Sequence, residues 1–492
     1  MRLLRIHIIS ADTCGGLLDG LDLTLRSHMD EQTNFSPLCL IGANGTGKSQ
    51  FLQVLAEMFQ LVFHAVVHQE ERLEGNTSLL FEAEYLIKPR DNGLPVHVRI
   101  ARQGQNRRRP VITIQKKVAN SWMNCELDAA ETQELLPRKV VGYTSGENET
   151  MSLPFLLSRS GYAEEVRESA IHQTQPTGAA IQDTRLMLID YGTHLEVLVA
   201  NLLLGSDEQR TSLLQFAHLD ELHSFRCIIQ LAHSAAPRAP ERSRSHSRRK
   251  GIQLTDELEG YLDKLQKCAT CYQYDDKTET YTFDFLVTPE TKTAFRFFWK
   301  SAFDLYSAFH KLAMLNDLVI PKHARERFTK ETKARRFASR LPEPQEEDKV
   351  FRFERVNFQA RNRAAIVDYV SLSDGEHQLA QLLGTFSMIS FPNVLFLLDE
   401  PESHFNPTWR RKFIDRLRAL PTLDGRRTTN SVASQQDCLI TTHSPYLPSD
   451  LPKENVFIFS RAADTRKVSV KNPEIETYGL PFDAILKAYF DV

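Results

Sequence analysis

Apolar residues along the chain follow two strand-like patterns. Short continuous apolar runs are typical of strands buried on both faces of a parallel sheet, and they occupy residues 38–41, 140–143, 394–398 and 438–440. Alternating runs predict strands with one buried face, and they occupy residues 1 to about 37, 80–87, 96–100 and 111–114. Together these patterns predict an α/β fold with an antiparallel meander beside a parallel core.

The middle of the chain has helical spacing instead. We predict helices over residues 190–204, 206–235 and 288–318. The last begins well, with Thr288 as N-cap and Pro289 at the first helical position. Its apolar residues recur at steps of three and four, at Phe295, Phe298, Ala302, Leu305, Phe309 and Leu312. We favour a core helix of an inserted domain, and the alternative is a surface for a second chain.

The changes of pattern divide the chain into three segments. These are residues 1–154, a mainly helical insertion at 155–348, and residues 349–492. A low-complexity stretch near 236–251 carries six cations up to Lys250, and it is either a solvated loop or a nucleic-acid arm. Arg107 to Arg109 lie at a predicted hairpin tip and are either a solvated turn or a nucleic-acid contact. We favour the solvated turn.

Composition and charge argue against a polycationic protein and against a membrane-spanning one. The chain has 492 residues and a net charge of −3, so any nucleic-acid contact must come from local patches. No apolar run is long enough for a membrane span. Seven cysteines, an odd number, are typical of a reducing cytoplasm. Cys268 and Cys271 form a lone C-x-x-C, for which we favour two buried thiols over zinc.

Residues 41–49 carry the strongest chemical signal. They match G-x-x-x-x-G-K-[ST] after a buried strand and before a helix. Backbone N–H groups of such a loop surround phosphate oxygens, and the positive end of the helix points at them. Lys48 is expected to reach the β- and γ-phosphates of ATP, and Ser49 to hold Mg²⁺. The remaining nucleotide-binding candidates in the loop are Gly42, Asn44, Gly45, Thr46 and Gly47.

Two adjacent carboxylates end the apolar run at 394–398. The carboxyl ends of parallel strands are where an α/β sheet places its chemistry. We expect Asp399 to hold Mg²⁺ through water, and Glu400 to orient and deprotonate the attacking water. A further buried strand ends at His443, a candidate catalytic residue.

A second anion cradle is predicted at residues 371–378, where Ser373 and Gly375 begin a helix. This segment resembles the LSGGQ-type signature of ABC ATPases, from which Asp374 departs at one position. The resemblance implies that Ser373 and Gly375 close on the γ-phosphate held by a second copy. It also implies that residues 401–407 contact that copy and that His443 is the switch histidine.

The order of the five motifs resembles ABC-type ATPases of the RecF, SMC and OLD-like branch. Residues 143–149, 441–445 and 476–479 are most similar to the PtuA ATPases of Septu-type antiphage systems. That resemblance implies an ATP-sandwiched head-to-tail dimer, a partner HNH nuclease and, in retron versions, a reverse transcriptase with its RNA–DNA product. Only 49 residues follow His443, so we expect cutting to come from a partner.

Four functional hypotheses remain open at this stage. The chain is a cytoplasmic, nucleic-acid-associated ATPase that controls a nuclease in defence, or a RecF-like repair or replication clamp with no nuclease partner. A third, a transporter ATPase, is the weakest, because the chain lacks a membrane-partner signal and has an uncharacteristic insert. In the fourth, ATP mainly holds the dimer together and is hydrolysed little. The same ATPase residues serve the first, second and fourth hypotheses.

Overall fold

The computed structural model describes most of the chain. The described residues are 1–27, 35–89, 94–104, 109–145, 149–172, 180–232, 249–333, 344–361, 365–422, 425–427, 435–461 and 467–489. The arginine tip at 107–108, most of the basic stretch at 236–251 and residues 146–148 of the segment after 143 lie outside them. The roles predicted for those stretches therefore stay predictions.

The strands in chain order are β1 Arg2–Ser10, β2 Leu21–Thr24, β3 Leu38–Ile41, β4 Leu80–Ile87, β5 Val96–Gln103, β6 Val111–Val118, β7 Ser121–Asn124, β8 Lys139–Thr144, β9 Leu186–Ile189, β10 Leu219–Gln230, β11 Cys271–Asp275, β12 Thr280–Leu286, β13 Phe351–Ala360, β14 Ile366–Asp368, β15 Val394–Asp399, β16 Pro421–Thr422, β17 Gly425–Arg426, β18 Asp437–Thr441, β19 Val456–Arg461 and β20 Val468–Lys471.

The helices are α1 Lys48–Val66, α2 Ala130–Glu134, α3 Glu149–His172, α4 His194–Leu204, α5 Asp207–Leu214, α6 Asp256–Cys268, α7 Pro289–Phe298, α8 Ala302–Met314, α9 Lys322–Lys333, α10 Asp374–Met388, α11 Pro407–Arg411, α12 Phe413–Ala419, α13 Tyr446–Ser449 and α14 Phe482–Tyr489. None of the described helices is long and apolar enough to cross a membrane.

The chain forms two compact units. The first comprises Met1–Ser158, Arg185–Tyr191 and Ser390–Val492, and the second comprises Arg159–Thr184 and Gly192–Ile389. The segments predicted from sequence divide instead at 154 and 348. The second unit extends to Ile389 because β13 pairs with β10 and α10 packs on α4, where Asn201 Nδ2 donates to the carbonyl of Gly384.

A mainly parallel sheet organises the first unit. Over the described residues its order is β20-β19-β3-β18-β15-β8-β9, and all neighbours from β19 to β9 are parallel. Strands β3, β8, β15 and β18 are buried throughout, as their apolar runs predict. Helix α1 is buried on nearly all sides, including its apolar residues Phe51, Leu52, Leu55, Met58, Phe59 and Val62.

The first unit also contains the predicted meander. In the described chain its antiparallel strands follow the order β2-β1-β4-β5-β6-β7. Ile6 and Ile8 enter the core at a spacing of two, because side chains of a strand point to opposite faces in turn. Leu3 is buried on the other side of a register shift between Leu3 and Arg5. The mixed α/β architecture predicted from sequence is therefore confirmed.

The second unit combines helices with an antiparallel sheet that the sequence analysis did not predict. The order of this sheet, over the described residues, is β11-β12-β10-β13-β14. The single helix predicted over 206–235 is wrong, since α5 ends at Leu214 and β10 begins at Leu219. Phe225, Cys227 and Ile229 are buried at a spacing of two, and pairing with two distant strands stabilises the extended form.

The helix predicted over 288–318 is two helices, α7 and α8. Thr288 is the N-cap of α7, as predicted, and Ser301 accepts a hydrogen bond as N-cap of α8. The break lies at residues 299–301, where a second capping serine interrupts the apolar period. Phe295, Leu305, Phe309 and Leu312 are fully buried in this unit, as the core interpretation predicts, whereas Phe298 and Ala302, next to the break, are half-buried.

The prediction of two buried thiols is confirmed for Cys268 and wrong for Cys271. Cys268 is buried at the end of α6, whereas Cys271 is exposed because it lies on the edge strand β11. Among the described residues, no three His, Cys, Asp or Glu side chains are grouped so that they could hold a metal ion.

Candidate functional site

The loop from β3 to α1 has the backbone geometry of a phosphate-binding turn. Gly42 has φ +134°, and a Cβ there would lie 2.2 Å from the carbonyl oxygen of Phe459. Gly45 and Gly47 also have positive φ, at +75° and +97°. Only glycine takes such conformations without strain, so the sequence motif and the fold require the same residues. Asn44 and Gly45 lie at the exposed tip of the loop.

Lys48 is held inside this loop. Its Nζ donates to the carbonyls of Gly42 and Ala43, at 2.8 and 3.0 Å, and the residue is only 4% exposed. Burial lowers the pKa of Lys48 to about 8, although Glu400 and Asp399 favour its charged form. Thr46 Oγ1 donates to the same Ala43 carbonyl and closes the turn. A buried ammonium beside a ring of backbone groups is suited to an anionic ligand.

Ser49 and Asp399 meet across the sheet. Ser49 Oγ donates to Asp399 Oδ1 at 2.7 Å, and Thr441 Oγ1 donates to the same oxygen at 2.7 Å. Thr441 lies directly opposite Asp399, because β15 and β18 are parallel neighbours in register. The two hydroxyl oxygens and the carboxylate oxygen that meet here are the type of ligand atom that Mg²⁺ prefers.

Glu400 and His443 form a pair beside this point. His443 Nε2 lies 3.1 Å from Glu400 Oε1, and both side chains are half-buried. This hydrogen bond lowers the pKa of Glu400, so its carboxylate is ionised at neutral pH. Glu400 has φ +47°, which is strained for a residue with a Cβ, and its N–H donates to Thr441 Oγ1 at 3.0 Å. The strained turn aims the carboxylate at the histidine.

A buried contact behind this pair was not found by sequence reasoning. Thr442 Oγ1 donates to Glu402 Oε1 and accepts the N–H of Ser444 at 2.8 Å. Glu402 is 3% exposed, and burial raises its pKa to about 7. The hydroxyl of Thr442 therefore fixes the loop on both sides of His443. The available signal was two adjacent threonines at the end of a buried strand.

The signature residues lie in the second unit, whereas the other predicted site residues lie in the first. Ser373 is the N-cap of α10 and forms a capping box with Glu376. Gly375 is buried in the first turn, while Ser373 is exposed. Behind them the rings of Tyr369 and His377 stack at 4.2 Å, and His377 Nε2 contacts the Tyr369 carbonyl at 2.8 Å. The helix start presented by Ser373 is therefore rigidly supported.

The residues of the first unit fit ATP and Mg²⁺. The positive φ values of Gly42, Gly45 and Gly47 shape the turn, and the buried ammonium of Lys48 suits phosphate oxygens. Ser49, Asp399 and Thr441 supply hard oxygen donors.

Comparison with known proteins gives one family match. Residues 290–450 match the model described as "AAA domain, putative AbiEii toxin, Type IV TA system". This stretch includes α10, β15 and the loop that carries His443. No curated protein matches the chain.

Among solved structures, 71 chains match. One is the SMC head domain from Thermotoga maritima, at 9% identity and a TM-score of 0.36, covering 96% of this chain and 100% of that one. Another is the Smc head domain from Pyrococcus furiosus, with an extended coiled coil and bound to the C-terminal domain of ScpA. Its identity is 11% and its TM-score 0.31, covering 96% of each chain.

The sheet itself carries the fold assignment. The phosphate loop follows β3, the adjacent strand β18 leads to His443, and the next strand β15 ends at the paired acids. A glycine-rich loop after a central parallel strand, with paired acids at the end of a nearby strand, is the arrangement of a P-loop nucleotide-binding sheet. The stretch that matches the AAA-domain model, residues 290–450, includes the strand with the paired acids.

Proposed function

We propose that the chain binds ATP with Mg²⁺, hydrolyses it, and acts as the sensor and regulatory subunit of an antiphage defence complex. The observation that carries the ATPase part is the hydrogen bond between Ser49 and Asp399. It joins the phosphate loop to the strand with the paired acids, as a site for a metal–triphosphate requires.

The binding step follows from the loop. Lys48 leaves the carbonyls of Gly42 and Ala43 and pairs with β- and γ-phosphate oxygens, which restore the charge that burial disfavours. Ser49 and Asp399 would hold Mg²⁺ when the ion is bound. The ion, when bound, neutralises charge on the transferring phosphoryl group.

Glu400 is the general base in this proposal. Its ionised carboxylate orients the attacking water and accepts its proton, and His443 holds that carboxylate in place. His443 also contacts the γ-phosphate as the switch residue.

A second copy of the chain completes the pocket in this proposal. Ser373 is exposed at the N-terminus of a 15-residue helix, where anions are stabilised. We assign Ser373 and Gly375 to the γ-phosphate held by the other copy, in a head-to-tail dimer.

The defence role rests on the resemblance to Septu-type ATPases. The matched family description, which names a toxin of a type IV TA system, is compatible with a partner-controlled protein. In this role the chain is not itself the nuclease, and an HNH nuclease associates with it. A reverse transcriptase with its RNA–DNA product is a further candidate partner.

Nucleotide binding and partner capture test the two parts separately. Lys48→Ala should abolish binding of Mg²⁺–ATP in a calorimetric titration, whereas the exposed control Lys322→Ala should bind like the wild type. Undiminished binding by Lys48→Ala contradicts the phosphate-loop assignment. A tagged chain purified from its native host should bring an HNH nuclease identifiable by mass spectrometry, and its consistent absence favours a RecF-like clamp.

A further inference from the structure

The short helices α11 and α12 carry an unusual excess of positive charge. Between residues 407 and 419 there are five cations and one acid, Asp415. We call the cations the basic face; they are Arg410, Arg411, Lys412, Arg416 and Arg418. Arg411 and Lys412 are exposed, while the three other arginines are half-buried. The apolar residues Phe413, Ile414 and Leu417 are buried, so the charge lies on the outer side.

Most of this charge has no carboxylate at ion-pair distance among the described residues, although Arg410 acts electrostatically on the buried Glu402. Arg418 lies 3.9 Å from Asp415, but none of the other four cations has a carboxylate at ion-pair distance in that part of the chain. Some arginines elsewhere are paired, as Arg5 is with Asp22 at 2.6 Å, and others are exposed without an ion pair among the described residues, but residues 407–419 group five cations with a single acid. In a chain with a net charge of −3, a local excess of this size indicates an anionic partner.

The chemistry of the basic face favours nucleic acid among anionic partners. Four of its five cations are arginines, whose planar donors match phosphate oxygens. The half-buried ring of Trp409 lies beside them, with Arg416 Cζ 5.9 Å from its centroid, and indole rings stack on bases. Residues 407–419, all described, expose no large apolar side chain that could enter a membrane.

We propose that the basic face binds the phosphate backbone of nucleic acid. The face is also linked to the candidate general base. Arg410 Nη2 donates to the Ser403 carbonyl at 2.9 Å, and the Ser403 N–H donates to the Glu400 carbonyl at 3.2 Å. Nucleic acid that moves Arg410 therefore acts on the strained turn at Glu400. This link rests on the proposed ATPase function, whereas binding itself does not.

The test measures binding of the full chain without nucleotide. The probes are a labelled DNA duplex, the matching single strand and an RNA of the same sequence, each titrated at several salt concentrations. The test variant is Arg411→Glu/Lys412→Glu. The matched control is Lys117→Glu/Lys471→Glu, which reverses two exposed cations elsewhere in the same unit. Thermal unfolding of each variant checks that it is folded, and Arg411→Gln/Lys412→Gln serves if the reversal does not fold.

The wild type should bind at least one probe, with an affinity that falls steeply with salt. The test variant should lose about 10-fold or more, and its salt slope should fall by about 2, while the control retains wild-type binding. Equal binding by test and control variants overturns the proposal. So does tighter binding to polyglutamate or to phosphatidylserine vesicles than to any nucleic acid. ATP hydrolysis measured without nucleic acid tests the ATPase separately, so failure of one proposal is distinguishable from failure of the other.

Discussion

Ser49 Oγ and Asp399 Oδ1 lie 2.7 Å apart although 350 positions separate the two residues in sequence. The contact exists because β3 and β15 flank β18 in one parallel sheet, which brings the carboxyl ends of distant strands to one edge. The contact brings the phosphate-loop motif and the paired acids together in one candidate metal site.

This contact predicts coupled effects on Mg²⁺. Ser49→Ala and Asp399→Asn should each raise the Mg²⁺ concentration for half-maximal ATP turnover by about 10-fold or more. The double variant should be little worse than the poorer single variant, since both residues serve one ion. Titration of Mg²⁺ at saturating ATP measures this, with Ser78→Ala as the remote control. Fully additive losses would show that the two residues act independently.

The Thr442 hydroxyl should matter for turnover more than for nucleotide affinity. Thr442→Val keeps the shape but leaves Glu402 and the Ser444 N–H without their partner, which costs about 1–3 kcal/mol where groups are buried. We expect kcat to fall about 10-fold with KM little changed, because the hydrogen bonds of Thr442 to Glu402 and to the Ser444 N–H hold the loop that carries His443. Thr442→Ser, which retains the hydroxyl, should restore kcat. A loss that serine does not rescue would indicate a packing role.

The two glycines of the phosphate loop should differ in their tolerance of alanine. At Gly42 an added Cβ would lie 2.2 Å from the Phe459 carbonyl oxygen, whereas at Gly45 nothing lies within 4 Å. Gly42→Ala should therefore lower the free energy of unfolding by more than about 2 kcal/mol. Gly45→Ala, with only its positive φ to overcome, should cost about 1–2 kcal/mol. Chemical denaturation compares them, and equal costs would contradict the close approach of the Phe459 carbonyl to the loop.

Glu71 should make stability depend on pH. The residue is fully buried, and burial raises the pKa of Glu71 to about 7 from a usual value of 4.5. Between these values the folded chain keeps a proton that the unfolded chain releases, so the free energy of unfolding falls as pH rises, by at most about 3 kcal/mol.

The matching variants isolate this effect. Glu71→Gln should make the fall in stability between pH 4.5 and 7 shallower by the share of one group, because burial also raises the pKa of Glu402 and of Asp450 to about 7. Glu131→Gln, at an exposed position, should leave the fall unchanged. Denaturant titrations across that range measure the difference. An unchanged slope in Glu71→Gln would show that another group is responsible.

How much the sequence predicts depends on how local the determining contacts are. The strands β3, β15 and β18 follow from short apolar runs, and the positions of Lys48 and Asp399 at the carboxyl ends of these strands follow from the glycine motif and the paired acids. Strand β10 does not, because its extended form depends on pairing with β12 and β13, which are distant in sequence. The contact of Thr442 with Glu402 could not be predicted either, because the spacing of residues along the chain does not give their distance in the folded sheet.

The central claim is that Glu400 serves as the base in ATP hydrolysis. Single-turnover hydrolysis by Glu400→Gln, compared with the wild type and with the exposed control Glu131→Gln, tests it most directly. We predict a fall of about 100-fold or more, with Mg²⁺–ATP still bound and a dimer accumulating in sedimentation analysis. Hydrolysis by Glu400→Gln at the wild-type rate would contradict the claim.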